Sequence, residues 1–127
     1  MEVQAATAGK TEAIEWTLAD AIELYPALSA LADDCGYCMA MLGSVLKNGR
    51  GRDLDLLMRP LHGRLQLRDA FLARFGGRLV KRRLNKAHMI DGYKIELGGR
   101  EFDFIFGEFW ELGMVRAWAK KSSKSES

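Results

Sequence analysis

Apolar residues recur at helical spacing at Leu18, Ile22, Leu28 and Leu31. That period predicts a helix over residues 17–34, with Thr17 as its N-cap ahead of Leu18, Ala19 and Asp20. Pro26 lies inside this segment. Proline lacks the backbone donor a helix interior needs, so two short helices or a kink near Tyr25 are expected, lying across a sheet. The run Tyr37-Cys38-Met39-Ala40-Met41-Leu42, bounded by Gly36 and Gly43, has the length and composition of a buried strand. Residues 53–58 predict the next strand, ended by Pro60. Leu65, Leu67, Ala70, Phe71, Leu72 and Phe75 mark another helix that stops at Gly76-Gly77. A further strand starts at Arg78 and runs through Leu79, Val80 and Lys81. Residues 93–97 and 100–106 alternate in polarity around Gly98-Gly99, the pattern of a hairpin with a two-residue turn. In its second strand Phe102, Phe104 and Phe106 share one face, which must be buried, and Glu101, Asp103 and Ile105 share the other. Phe109, Trp110, Leu112, Val115 and Trp118 predict a C-terminal amphipathic helix.

This order predicts an α+β fold, a small mixed β-sheet with helices packed on one side. Residues 1–12 and the Lys/Ser-rich residues 120–127 are expected to be flexible, leaving residues 13–119 as a single domain. A chain of 127 residues is long enough to build a core without metals or disulfides. The first residues lack both a basic leader and an apolar stretch, and no run reaches the length of a membrane span. A cytoplasmic location without membrane contact is the expectation. The two cysteines form Cys35-Gly36-Tyr37-Cys38, but a redox pair of this spacing normally opens a helix, whereas Cys38 enters an apolar strand. It is expected to pack as a small core residue. No second cysteine pair completes a zinc site, and His62 and His88 stand alone.

The net charge of +2, from 19 basic and 17 acidic residues, is too balanced to announce a nucleic-acid binder. The cations nevertheless crowd the middle of the chain, and Arg78, Lys81, Arg82 and Arg83 offer either a phosphate-attracting surface or a solvated strand edge. The acids carry more information. Asp is depleted within strands, yet Asp53 and Asp55 stand at alternate positions in an apolar run and so project from one side while Leu54 and Leu56 point inward. Two carboxylates on one rigid edge suit a divalent cation that keeps most of its octahedral positions for water and phosphate oxygens.

Leu42-Gly43-Ser44, the eight-residue spacer 45–52 and Asp53-Leu54-Asp55-Leu56 resemble the signature of the nucleotidyltransferase superfamily that includes DNA polymerase β and the CCA-adding enzymes. That signature reads apolar, Gly, Gly or Ser, spacer, Asp, apolar, Asp or Glu, apolar. Phe102-Asp103-Phe104-Ile105 matches the later strand that supplies the third carboxylate in this family. The resemblance covers residues 15–107, at its most specific in these three short motifs, and the spacer is at the short end of the family range. It implies transfer of a nucleoside monophosphate from a nucleoside triphosphate to an acceptor hydroxyl, with Asp53, Asp55 and Asp103 as catalytic residues and ligands of Mg²⁺ or Mn²⁺. Gly43, Ser44, Lys47, Arg50 and Arg52 are the expected nucleotide-binding residues: Gly43 admits a phosphate close to the backbone, Ser44 donates from amide and hydroxyl, and the three cations face the phosphates. The acceptor is a protein, an RNA or a small molecule. No segment is left for a substrate-recognition domain, so a partner protein, a homodimer or a small substrate is implied. The alternatives are a catalytically inactive nucleotide-binding or regulatory protein of the same fold, and a nucleic-acid-binding module acting through the basic centre.

Overall fold

The computed structural model describes residues 14–87 and 89–107. Along them run β1 (Trp16–Thr17), α1 (Leu18–Asp34), β2 (Tyr37–Leu42), α2 (Ser44–Asn48), β3 (Arg50–Gly51), β4 (Asp53–Pro60), α3 (Arg68–Phe75), β5 (Arg78–Asn85), β6 (Ile90–Leu97) and β7 (Arg100–Phe106). The fold is α+β, with a five-stranded mixed sheet in the order β2-β4-β7-β6-β5 and a two-stranded pair of β1 with β3.

Thr17 caps α1 as expected: it is extended, and its Oγ1 accepts from Asp20 N at 3.2 Å. The expected break at Pro26 does not occur, and α1 is one helix of 17 residues. Pro26 is exposed, as is Ile22 one turn earlier, so the carbonyl that loses its donor faces water. The helix is held from its other side. Ala21, Leu28 and Ala32 are buried, and the Tyr25 hydroxyl donates to Met39 O at 2.5 Å, which ties the proline turn to β2.

The predicted hairpin is present, with Leu97 paired to Arg100 across Gly98-Gly99. Both glycines have positive φ, 65° and 80°, the conformation a tight two-residue turn demands. β7 enters the sheet between β6, its antiparallel neighbour, and β4, its parallel neighbour. A central strand is covered on both faces, and residues 102–106 are all buried. Phe102, Phe104 and Phe106 pack beneath the helices with Trp16, Leu54, Leu56, Met58 and Phe71 in the main core. Edge-to-face contacts join the layers, among them Phe71 to Phe104 at 5.0 Å and Phe75 to Phe102 at 4.8 Å between ring centres. The opposite face carries a smaller cluster of Leu57, Ile90 and Ile105 with Ala40 and Leu42 beside it.

Several local expectations need correction. The spacer 45–52 is structured: it contains most of α2, and β3, which pairs with β1 through Trp16 with Gly51 and Thr17 with Arg50. β4 extends through Pro60, where a missing donor is tolerated at the last strand position. β5 continues to Asn85. Cys38 is exposed on edge strand β2, because the alternation that buries Tyr37 and Met39 turns it outward, and Cys35 is the buried thiol. The expected C-terminal helix with Trp110 and Trp118, the flexible ends 1–12 and 120–127, and His88 lie outside the described residues. Among the described residues no helix is long and apolar enough to cross a membrane.

Candidate functional site

Register on the parallel pair β4 and β7 sets Asp53 opposite Glu101 and Asp55 opposite Asp103. Leu54 and Leu56 on one strand, and Phe102 and Phe104 on the other, are drawn into the core. Alternation therefore sends all four acids to the face away from the helices. The structure thus brings together the three carboxylates named from sequence and adds a fourth, Glu101. Its place on the Asp103 face was legible in the sequence. Its juxtaposition with Asp53 depends on the parallel pairing, which no local pattern announces.

Burial, with repulsion between neighbours, raises the proton affinities of Asp55, Asp103 and Glu101. Burial pushes the Asp55 carboxyl up to about 8, with repulsion from Asp103 and then Asp53 adding to it, while Arg83 and Lys94 act in the other direction. Asp103 is also raised, mainly by burial, against the charge and hydrogen bond of Arg83. Glu101 is raised by burial and by a hydrogen bond and repulsion from Asp53, and the charges of Lys94 and Arg52 oppose this.

Two cations from neighbouring strands enter the group. Arg83 on β5 donates from Nη2 to Asp103 Oδ2. Lys94 on β6, opposite Asp103 in register, places Nζ 3.3 Å from Asp53 Oδ2. Both are well shielded, at 18% and 16% side-chain exposure. Asp103 Oδ1 is buried and accepts no hydrogen bond, a costly state for a carboxylate oxygen.

The Gly43-Ser44 turn adjoins this group. Leu42 pairs with Asp55, and Gly43 follows with φ 86° at the start of α2. A Cβ at Gly43 would run into the Asp55 carboxylate, so glycine is required both for the backbone conformation and for the close approach. Ser44 is exposed, with its Oγ close against Gly51. Of the three expected phosphate-facing cations, Arg52 lies near enough to act on Glu101, while Arg50 is engaged by Glu15 at 2.6 Å and Lys47 is exposed in the last turn of α2.

The donors are oxygens only, a set that suits Mg²⁺ or Mn²⁺, and the unsatisfied Asp103 Oδ1 fits a site that asks for further positive charge. Among the described residues, however, no group of three His, Cys, Asp or Glu side chains is arranged to hold a metal ion. Asp103 and Asp53 are instead engaged by Arg83 and Lys94.

The basic run on β5 is largely exposed, but three of its arginines pair with acids of the sheet. Arg78 meets Glu96 at 3.3 Å, Arg83 meets Asp103, and Arg82 forks onto Asp91 at 2.8 and 3.1 Å. Asp91 heads a second polar group that sequence reasoning missed, since its partners Arg68, Arg82 and Tyr93 come from three elements. Arg68 Nη1 and the Tyr93 hydroxyl each donate to Asp91 Oδ2 at 2.8 Å, and both guanidinium groups lie over the Tyr93 ring. Burial alone would raise Asp91, but the hydrogen bonds from Arg82 and Tyr93 and the two arginine charges outweigh it and hold the carboxyl below its usual range. A cavity of about 510 Å³ opens beside it, lined by Tyr37, Leu67, Arg68 and Phe106 among others, and contains none of the residues expected to bind nucleotide.

No family model, no curated protein and no solved structure matches the chain at a significant level.

Proposed function

We propose that this chain transfers a nucleoside monophosphate from a nucleoside triphosphate to an acceptor hydroxyl, with Mg²⁺ or Mn²⁺ as cofactor. The observation that carries this reading is the register of Asp55 with Asp103 on adjacent parallel strands, with Asp53 on the same face and Gly43-Ser44 against Asp55. Asp53 and Asp55 would hold the cation and Asp103 would complete the set. When bound, the ion supplies charge to the transferring phosphoryl group and its leaving oxygen. The chain's own groups do the rest. Gly43 lets the turn close against Asp55, Ser44 offers an amide and a hydroxyl to a phosphate, and Arg52 supplies positive charge near Glu101. Asp103, whose Oδ1 accepts no hydrogen bond, is the group that would take the acceptor hydroxyl's proton. Protein, RNA and small-molecule hydroxyls all remain acceptor classes for trial.

Thermal melting with Mg²⁺ or Mn²⁺ and each nucleoside triphosphate tests the site, and pyrophosphate release with candidate acceptors tests the reaction. The expected result is cation-dependent stabilisation by a triphosphate that disappears in the double variant Asp53→Asn with Asp55→Asn. No stabilisation by any triphosphate would sink the proposal. Arg83 and Lys94 favour a second reading, a regulatory nucleotide-binding protein without catalysis, because they already answer part of the acidic charge. Triphosphate binding without pyrophosphate release, whatever the acceptor, would select it.

A further inference from the structure

We propose that the cavity at the carboxyl ends of β4 and β7 is a separate binding site for a small aromatic anion, whose carboxylate or phosphate head meets the start of α3 and whose ring lies against Leu67 and Phe106. The cavity holds about 510 Å³, an ordinary size for a small-molecule site. β4 ends at Pro60 and β7 at Phe106, both on the cavity wall, and the chain passes from one strand to the other through α3. Crevices outside the carboxyl ends of parallel strands are where open α/β sheets take their ligands. Tyr37 and Phe106 belong to the core beneath the helices, so this cavity is on the other side of the sheet from Asp53, Asp55 and Asp103. The two sites are independent.

The groups that converge on the cavity are donors short of acceptors. Leu67 gives α3 no side-chain cap, and its own amide is taken by Cys35 O at 2.9 Å. The amides of Arg68, Asp69 and Ala70 therefore open the helix with no carbonyl one turn earlier to receive them. Tyr37 points to a ligand independently. It is 6% exposed, yet its hydroxyl makes no hydrogen bond among the described residues, and the charges of Arg68 and Asp69 on the cavity wall act on it. Burial raises this hydroxyl, which keeps its proton and remains a donor. A buried donor without a partner is costly, and an anionic oxygen in the cavity would relieve it. Arg68 completes the set: Nη1 is fixed on Asp91 at 2.8 Å and Nε on Asp69 at 3.3 Å, while Nη2 has no acceptor among the described residues. Because Arg82 and Tyr93 hold Asp91 in turn, the guanidinium is in place before a ligand arrives. Amides at a helix start, a phenol hydroxyl and a guanidinium around one space select an oxyanion. The apolar walls select a ring behind it.

Calorimetric titration of the full chain with phenyl phosphate and with benzoate tests this, with inorganic phosphate as the head alone and benzyl alcohol as the ring without charge. One of the two aromatic anions is expected to bind at least tenfold more tightly than either partial probe, and the tighter one identifies the head. The backbone amide resonances of Arg68, Asp69 and Ala70 should shift with the same saturation curve. Tyr37→Phe, which keeps the ring against Phe106 and deprives no other group of a partner, should weaken the anion about tenfold and leave stability without ligand unchanged. Arg68→Met should weaken it further; should that variant fail to fold, Tyr37→Phe carries the comparison. Inorganic phosphate or benzyl alcohol binding as tightly as the aromatic anions, resonance shifts confined to other residues, or wild-type affinity in Tyr37→Phe would each overturn the site. None of these results bears on the nucleotidyl-transfer reading.

Discussion

Asp91 on β6 and Asp103 on β7 are both buried, but Asp91 receives four hydrogen bonds from Arg68, Arg82 and Tyr93, whereas Asp103 has one oxygen engaged by Arg83 and the other by no donor. The surroundings hold the Asp91 carboxyl below its usual range and raise the Asp103 carboxyl. The difference is one of company. Asp91 stands among cations and a phenol hydroxyl at the start of β6, while Asp103 stands beside other acids on β7. A carboxylate supplied with all its partners fastens α3 to β5 and β6. One left short beside Asp53, Asp55 and Glu101 reduces the stability of the free fold, and such groups concentrate at functional sites.

Breaking the satisfied group should have the largest effect. Asp91→Ala leaves Arg68, Arg82 and Tyr93 facing each other without their common acceptor. It should cost about 2–3 kcal/mol in urea unfolding, less than the full cost of splitting a wholly buried pair because the guanidinium groups still reach water. The acidic group should respond in the opposite sense to a ligand. Saturating Mg²⁺ and triphosphate, at a hundredfold excess over the dissociation constant, should stabilise wild type by about 2.7 kcal/mol in thermal melts and leave Asp53→Asn with Asp55→Asn unmoved.

A smaller effect sharpens the contrast through pH. Asp55 titrates at about 8 in the folded chain against an ordinary value of 3.8, so between these limits the folded state binds the extra proton. Its contribution to stability is complete below pH 4 and is lost progressively as pH rises through 8. Asp91, with a lowered value, contributes in the other direction: its stabilisation is present above the ordinary carboxylate range and is lost as pH falls through the folded value. Asp55→Asn should therefore flatten the decline between pH 4 and 8 without cation and raise stability at pH 8. Unchanged slopes in urea titrations across that range would remove Asp55 from the account. The smallest effect belongs to an exposed pair: Arg50→Ala, which releases Glu15, should change stability by no more than about 0.5 kcal/mol.

Local pattern made much of this legible. The alternation of Phe102, Phe104 and Phe106 against Glu101 and Asp103, the glycine turn before Arg100 and the Thr17 cap each depend on residues close in sequence, and the structure has each of them. What local pattern cannot supply is which strands become neighbours. The parallel pairing of β4 with β7 brought Glu101 to Asp53, and the antiparallel pairing of β6 with β7 brought Lys94 to the group. Arg83 looked like one member of a solvated basic run, because nothing near it in sequence reveals that this one side chain is shielded while Arg78 and Arg82 stay open. Pro26 misled for a related reason: propensity assumes an average environment, and its carbonyl partner at Ile22 happens to face solvent.

The place of β7 in the sheet also bears on how the chain reaches its final form. It is the last described strand in sequence, yet it occupies the middle position and separates β4 from β6. The segment through β4 can pair with β2 early, but Asp55 does not meet Asp103 until the β6–β7 hairpin docks, a distant contact of the kind that closes slowly. During synthesis, therefore, the Asp53 and Asp55 edge emerges first as an ordinary solvated strand. The repulsion that Asp103 and Glu101 add to Asp53 and Asp55 arrives only with β7, carried by a unit joined through its own turn.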